Sequence, residues 1–174
     1  MTQPLGAATM PALLQTGAPG PVVLGTEFGP VSAAAERVAI SLARRSGAPL
    51  LIVHGLDAGR LWLAGGRFGR RVDQVRAARE TDALALMTRI RRAGVEPLLL
   101  IWDGDPATCI LEAAGAEGAS RIVVGSHGRG WLGRAIVGSV SSTVGAHAKC
   151  PVDIVRGDGA SEEIVTIQPV VRLA

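Results

Sequence analysis

The stretch R-I-V-V-G-S-H-G-R-G-W-L-G-R-A-I-V-G-S-V-S-S, residues 121–142, joins an apolar run to a glycine-rich loop and then to small hydroxyl side chains. Five glycines stand among the fourteen residues from Gly125 to Gly138. The apolar run predicts a buried strand, and the segment that follows Gly138 predicts a helix over 139–148. A strand end, a glycine loop and a helix start bring unpaired amides and the positive end of a helix dipole together. This arrangement predicts an anion site, and a phosphate is the anion it suits best.

Short apolar runs alternate with helical patterns on both sides of this stretch. Four further runs predict strands, at residues 22–26, 50–54, 97–102 and 151–155. Helices are predicted over 31–45, 70–92 and 106–118. Asp105 is the expected N-cap of the third of these helices and Pro106 its first residue. Continuously apolar strands indicate a sheet covered by helices on both faces, so the sequence predicts a doubly wound α/β fold.

Length and composition restrict the class of protein. The chain has 174 residues, of which 48% are hydrophobic and 19% charged, so it can bury the core of one compact domain. Charges, prolines or glycines interrupt every apolar stretch well short of the about 20 residues that a spanning helix needs. We therefore expect a soluble protein with no membrane segment. The first 20 residues also lack the layout of a secretory signal, so a cytoplasmic location is expected.

Charge and cysteine content argue against two other classes. A net charge of +3 is too small to require a nucleic-acid partner, and the nine arginines within residues 60–92 are interpreted as a solvated helix face. Cys109 and Cys150 are the only cysteines and lack the close pairing of metal or redox motifs. No metal site is predicted.

Three phosphate-binding motifs can be compared with the glycine loop. The P-loop pattern is absent, because no lysine lies in this region. The dinucleotide pattern G-x-G-x-x-G occurs at Gly128, Gly130 and Gly133, but it starts too far beyond the strand end for a tight turn into a helix. The third pattern, Gly125-x2-Gly128-x9-Gly138-Ser139, resembles the signature of the ATP-binding branch of the universal stress protein family. The segments G-D-P-A (104–107), V-G-S-H-G-R-G (124–130) and C-P-V (150–152) are also similar to that family.

The resemblance implies a five-stranded parallel sheet of order 3-2-1-4-5, Rossmann-like, with residues 21–156 as the nucleotide-binding domain. It also implies homodimers formed through strand five, and ATP bound at the ends of strands one and four, with Mg²⁺ as a counter-ion that the nucleotide can bring. Residues 1–20 are then expected to be a flexible leader, and residues 157–174 a tail or an added edge strand. The expected cofactor-binding residues are Thr26, Glu27, Gly55, Gly125, His127, Gly128, Arg129, Gly138, Ser139, Val140 and Ser141.

Three positions depart from the family pattern. Glu27 stands where the family usually has Asp, and Gly29 where it usually has Ser, which puts adenine affinity in question. Asp153 stands where an apolar residue is usual. It is expected either to point inward from an edge strand and discourage pairing, or to lie exposed beside an arginine.

The functional interpretation is an ATP-binding stress-response regulator with an unknown protein partner and no catalytic residues. Two alternatives stay open at this point. One is a slow ATPase or nucleotidyl-transfer enzyme that uses His127 and Arg129. The other is an interaction module whose nucleotide pocket is vestigial.

Overall fold

The computed structural model describes residues 19–29, 32–57, 68–126, 138–157 and 162–169. Within these ranges the chain forms, in order, β1 (Val22–Gly25), α1 (Ala33–Ser46), β2 (Leu50–Leu56), α2 (Phe68–Arg92), β3 (Pro97–Asp103), α3 (Pro106–Ala116), β4 (Arg121–Gly125), α4 (Ser139–His147), β5 (Val152–Gly157) and β6 (Glu162–Ile167).

The strands form one sheet in the order β3-β2-β1-β4-β5-β6. The first five strands are parallel, and their order 3-2-1-4-5 is as predicted. β6 adds a sixth strand, antiparallel to β5, in the segment for which the sequence left a tail or an added edge strand open. The chain extends the sheet from β1 toward β3 and then crosses to β4 on the other side of β1. The strand order therefore reverses between β1 and β4, where α/β proteins bind ligands.

Two apolar layers enclose the sheet. Alternate strand residues such as Leu24 and Ile52 pack beneath α1 and α2. The intervening residues, such as Val23 and Val53, pack beneath α3 and α4. All four side chains are completely buried, as expected for strands covered on both faces.

Helix starts and strand ends follow local chemistry. The carboxylate of Asp105 accepts a hydrogen bond from the amide of Thr108 at 2.9 Å, and Pro106 is the first helical residue, so the predicted cap of α3 is confirmed. β2 continues two residues beyond the predicted end at His54, because Leu56 still pairs with Asp103 of β3.

Asp153 is buried, with 3% of its surface exposed. The expectation of an exposed position was wrong, and β5 is not an edge strand because β6 covers it. The expected arginine partner is present, since Arg121 Nη1 lies 2.9 Å from both carboxylate oxygens. None of the helices within the described ranges combines the length and the hydropathy needed to cross a bilayer.

Candidate functional site

A cavity of about 370 Å³ opens at the carboxyl ends of β1, β2 and β4, beside the start of α4. Eight of the eleven residues that the sequence indicated line this one cavity: Thr26, Glu27, Gly55, Gly125, Gly138, Ser139, Val140 and Ser141. The other three, His127, Gly128 and Arg129, lie outside the described residues. Positions spread over more than a hundred residues of sequence therefore meet at the point where the strand order reverses.

The start of α4 supplies polar backbone groups to the cavity. Gly138 is the N-cap, and it has no side chain that could make a capping hydrogen bond to the first-turn amides. An α-helix leaves its first four N–H groups without helical acceptors, and these carry the positive end of the helix dipole. Ser139 is exposed in this turn, whereas Ser141 is buried and its hydroxyl donates to the Gly138 carbonyl oxygen at 3.0 Å. The structure thus assigns Ser139 to the cavity surface and Ser141 to the support of the turn.

An apolar wall faces this polar helix start. It is built from Val53, Pro106, Ile110 and Val124, which sequence reasoning did not place in the site. The G-D-P-A segment was the available signal, because it sets Pro106 at the start of α3. Gly55 allows the close approach of that helix, since a Cβ at this position would lie 2.5 Å from the Pro106 Cα. The cavity therefore offers an apolar surface on one side and backbone N–H donors on the other.

The loop after β1 is held by hydrogen bonds that begin at Thr26. The Thr26 hydroxyl accepts from the amide of Phe28 at 2.9 Å and donates to a carboxylate oxygen of Glu36 at 3.3 Å. The other oxygen of Glu36 accepts from the Arg89 guanidinium at 2.6 Å. Phe28 has a φ of +58°, a left-handed conformation that is uncommon for a side chain of this size. The network holds the loop in this conformation beside the cavity. Within it the Thr26 hydroxyl both donates one hydrogen bond and accepts one.

Glu36 is the residue of this network that sequence reasoning missed. It lies on α1 among small apolar residues, in A-A-A-E-R-V-A, and it is 7% exposed. An acidic residue within the apolar stripe of a helix was the available signal, because carboxylates are seldom buried without a partner.

Glu27 is exposed at the cavity, and its amide donates to the Ser32 hydroxyl at 3.2 Å. Gly29 has open space around it, since no atom lies within 4 Å of a Cβ built there. Of these two departures from the family pattern, Glu27 lines the cavity and Gly29 is not among its lining residues within the described part of the chain.

His54 is buried on the opposite face of the sheet from the apolar wall. Its Nδ1–H donates to the Thr26 carbonyl oxygen at 2.8 Å, because a carbonyl can only accept. Burial is the main cause that lowers the pKa of His54 below its usual 6.5. The Phe28 ring lies against it with centroids 5.0 Å apart. The neutral imidazole is thus a support for the end of β1.

In the part of the chain that the structure describes, no three His, Cys, Asp or Glu residues are grouped so that they could hold an ion. Cys109 and Cys150 are free thiols, and burial raises the pKa of both.

Comparison with known proteins places this architecture in a family. Residues 20–156 match the model of the universal stress protein family. A universal stress protein of Thermus aquaticus is 39% identical over 126 residues, which are 70% of this chain and 88% of that protein. A universal stress protein of Mycolicibacterium smegmatis is 33% identical over 141 residues, 78% of this chain, and the match spans 45% of that longer protein.

A solved structure gives the same result. The universal stress protein of Archaeoglobus fulgidus in complex with dAMP is 26% identical and superimposes with a TM-score of 0.59. The match covers 79% of this chain and 98% of that one. The sheet order, the cavity at the strand-order reversal and these matches agree, and the chain belongs to the universal stress protein family.

Proposed function

We propose that the chain is an ATP-binding regulator of the stress response, in which the bound nucleotide stabilises one conformation or one assembly state. The observation that carries the proposal is the convergence of eight indicated residues on one cavity at the strand-order reversal. A ligand that binds only the folded state stabilises it in proportion to the logarithm of its concentration over its dissociation constant.

The residues of the cavity fit the two ends of a nucleotide. The first-turn amides of α4 suit phosphate oxygens, and Gly138 has no side chain to obstruct them. The apolar wall around Pro106 and Ile110 suits the flat face of a base. The related Archaeoglobus protein was solved with dAMP, which supports an adenine nucleotide.

ATP is proposed over a monophosphate because the same loop carries Gly128, which the signature of the ATP-binding branch requires, and Arg129, whose positive charge suits additional phosphates. Mg²⁺ is proposed as the counter-ion of its phosphates. We further propose a homodimer, a protein partner yet to be identified and a cytoplasmic location.

The first experiment identifies the nucleotide that leaves the purified, denatured protein, by chromatography with mass detection. ATP or ADP near one per chain is expected. Gly138→Val is expected to abolish it, because the side chain enters the phosphate position. Among the described residues, a Cβ at Gly138 meets only Ser141 Oγ, at 3.6 Å, so the variant should fold.

Gly115→Val is the matched control, because Gly115 has open space and lies on α3 away from the cavity. Nucleotide lost equally from both variants would contradict the assignment. An absence of nucleotide, together with no calorimetric binding of Mg-ATP, would favour the interaction module. Steady release of ADP that His127→Ala abolishes would favour the enzyme.

A further inference from the structure

The family resemblance implies that the free edge of strand five pairs with a second copy of the chain. In this structure β6 occupies that edge of β5. All six residues of β6 pair antiparallel with β5, from Val152↔Ile167 to Gly157↔Glu162. β5 therefore has a hydrogen-bonded neighbour on each side, β4 and β6. A second chain could reach the β5 edge only by displacing β6.

Side chains on both faces of the sheet hold β6 in place. On the α1 face, Glu162 Oε1 accepts from Arg37 at 2.7 Å. On the same face, the Thr166 hydroxyl donates to the buried Asp153 carboxylate at 2.7 Å. On the α4 face, Ile167 packs so closely on Gly145 that a Cβ there would lie 2.6 Å from its Cδ1. Three contacts to three different elements make β6 a fixed part of this fold.

The outer edge of β6 is open within the described residues, where β5 is its one strand neighbour. Glu162 to Thr166 are all exposed, and they include two large apolar side chains, Ile164 at 47% and Val165 at 43%. Edge strands that avoid pairing usually carry charged side chains, most often lysine, or proline or a bulge. β6 has neither lysine nor proline, and its two charges stand together at one end. Such an edge is a template for another strand.

The charge pattern of β6 favours antiparallel pairing with β6 of a second copy. A two-fold axis perpendicular to the sheet and centred on Ile164 would set Glu162 opposite Thr166 and Glu163 opposite Val165. Centred on Val165, the axis would set Glu163 opposite Ile167. In both registers glutamates face uncharged residues and the apolar pair meets near the axis, whereas a parallel pairing in register would oppose glutamate to glutamate.

We propose that the outer edge of β6 is the homodimer interface of this protein, formed by antiparallel pairing with β6 of a second copy. This inference deepens the homodimer proposed above and moves the contact from β5 to β6.

Sedimentation velocity of the full-length chain at several concentrations tests the proposal. The unchanged protein is expected to be a dimer, and Ile164→Lys and Val165→Lys are each expected to raise the dissociation constant at least about tenfold by placing cations at the axis. Leu84→Lys is the matched control, because Leu84 is 60% exposed on α2, and its dimer should be unchanged. A monomer at about 100 µM, or a dimer that both β6 lysines leave intact, would overturn the proposal.

A further variant distinguishes a dimer interface at β6 from one at β5. Thr166→Val removes the hydrogen bond from β6 to Asp153, so it loosens β6 and should weaken the dimer. A tighter dimer would show that β5 is the interface. Nucleotide content is measured on the same samples. A monomeric Ile164→Lys variant that retains its nucleotide would have lost the interface but kept the nucleotide site, so the two proposals can fail independently.

Discussion

Arg121 of β4 and Asp153 of β5 form a partly buried ion pair that also holds β6. Arg121 Nη1 lies 2.9 Å from each carboxylate oxygen, and the Thr166 hydroxyl donates to one of them at 2.7 Å. The Asp153 side chain is 4% exposed and that of Arg121 is 32% exposed. One carboxylate thus joins three adjacent strands, β4, β5 and β6.

Asp153→Asn is expected to lower the free energy of unfolding by about 1–3 kcal/mol, because it leaves the Arg121 charge without a full partner in a mostly buried place. Urea unfolding followed by circular dichroism measures the loss. Glu163→Gln is the control. Its bridge to Arg156 is 4.0 Å long and its side chain is 70% exposed, so a change within about 0.5 kcal/mol is expected. Equal losses in the two variants would refute a special role for Asp153.

The contact between Gly145 and Ile167 predicts a coupled pair of substitutions. Gly145→Ala places a Cβ against the Ile167 Cδ1 atom and should cost about 1 kcal/mol despite the better helix propensity of alanine. Ile167→Val removes that atom, so the same alanine should cost little in the valine background. Gly115→Ala, in open space on α3, should be neutral or stabilising. Additive costs in the thermal unfolding of the double variant would argue against the contact.

The sequence was enough to predict the five parallel strands, but it did not decide whether a sixth strand lies at the edge of the sheet. Apolar runs bounded by glycine and proline predicted five strands, because buried parallel strands are continuously apolar. β6 carries E-E-I-V-T-I and is exposed over most of its length, so its pattern does not separate a strand from a tail. Its position depends on contacts made by Arg37, Asp153 and Gly145, which lie far from it in sequence.

The site was predictable where backbone groups form it. Glycine spacing and a helix start are local features, and they located Gly125, Gly138 and Ser139 at the cavity. Side chains that act across elements were not predictable, because nothing in the sequence aligns Glu36 of α1 with Thr26 and with Arg89 of α2. Packing of α1 between the β1 loop and α2 creates that relationship.

Glu36→Gln is expected to weaken ATP binding about three- to tenfold, because loss of the Arg89 ion pair loosens the loop that carries Thr26 and Glu27. Isothermal titration calorimetry with Mg-ATP measures the change. Arg89→Met should have a similar effect, and the double variant should add little if the two residues act as one unit. Glu112→Gln, an exposed position on α3, should bind as the unchanged protein does. Unaltered affinity in both network variants would show that the loop is held by its backbone alone.

The buried imidazole of His54 predicts a loss of stability at acidic pH. Burial lowers its pKa in the folded state below 6.5, so the unfolded chain takes up a proton that the folded chain resists. The stabilisation is therefore complete above about pH 6.5 and declines as the pH falls through the lowered pKa of the folded state. His54→Asn keeps an N–H donor for the Thr26 carbonyl but does not titrate, so its unfolding free energy should depend less on pH between about 6.5 and 5. His147→Gln, at an exposed histidine on α4, should leave the original pH dependence in place. If His54→Asn showed the same slope as the unchanged protein in urea unfolding at these pH values, another group would have to carry the acid sensitivity.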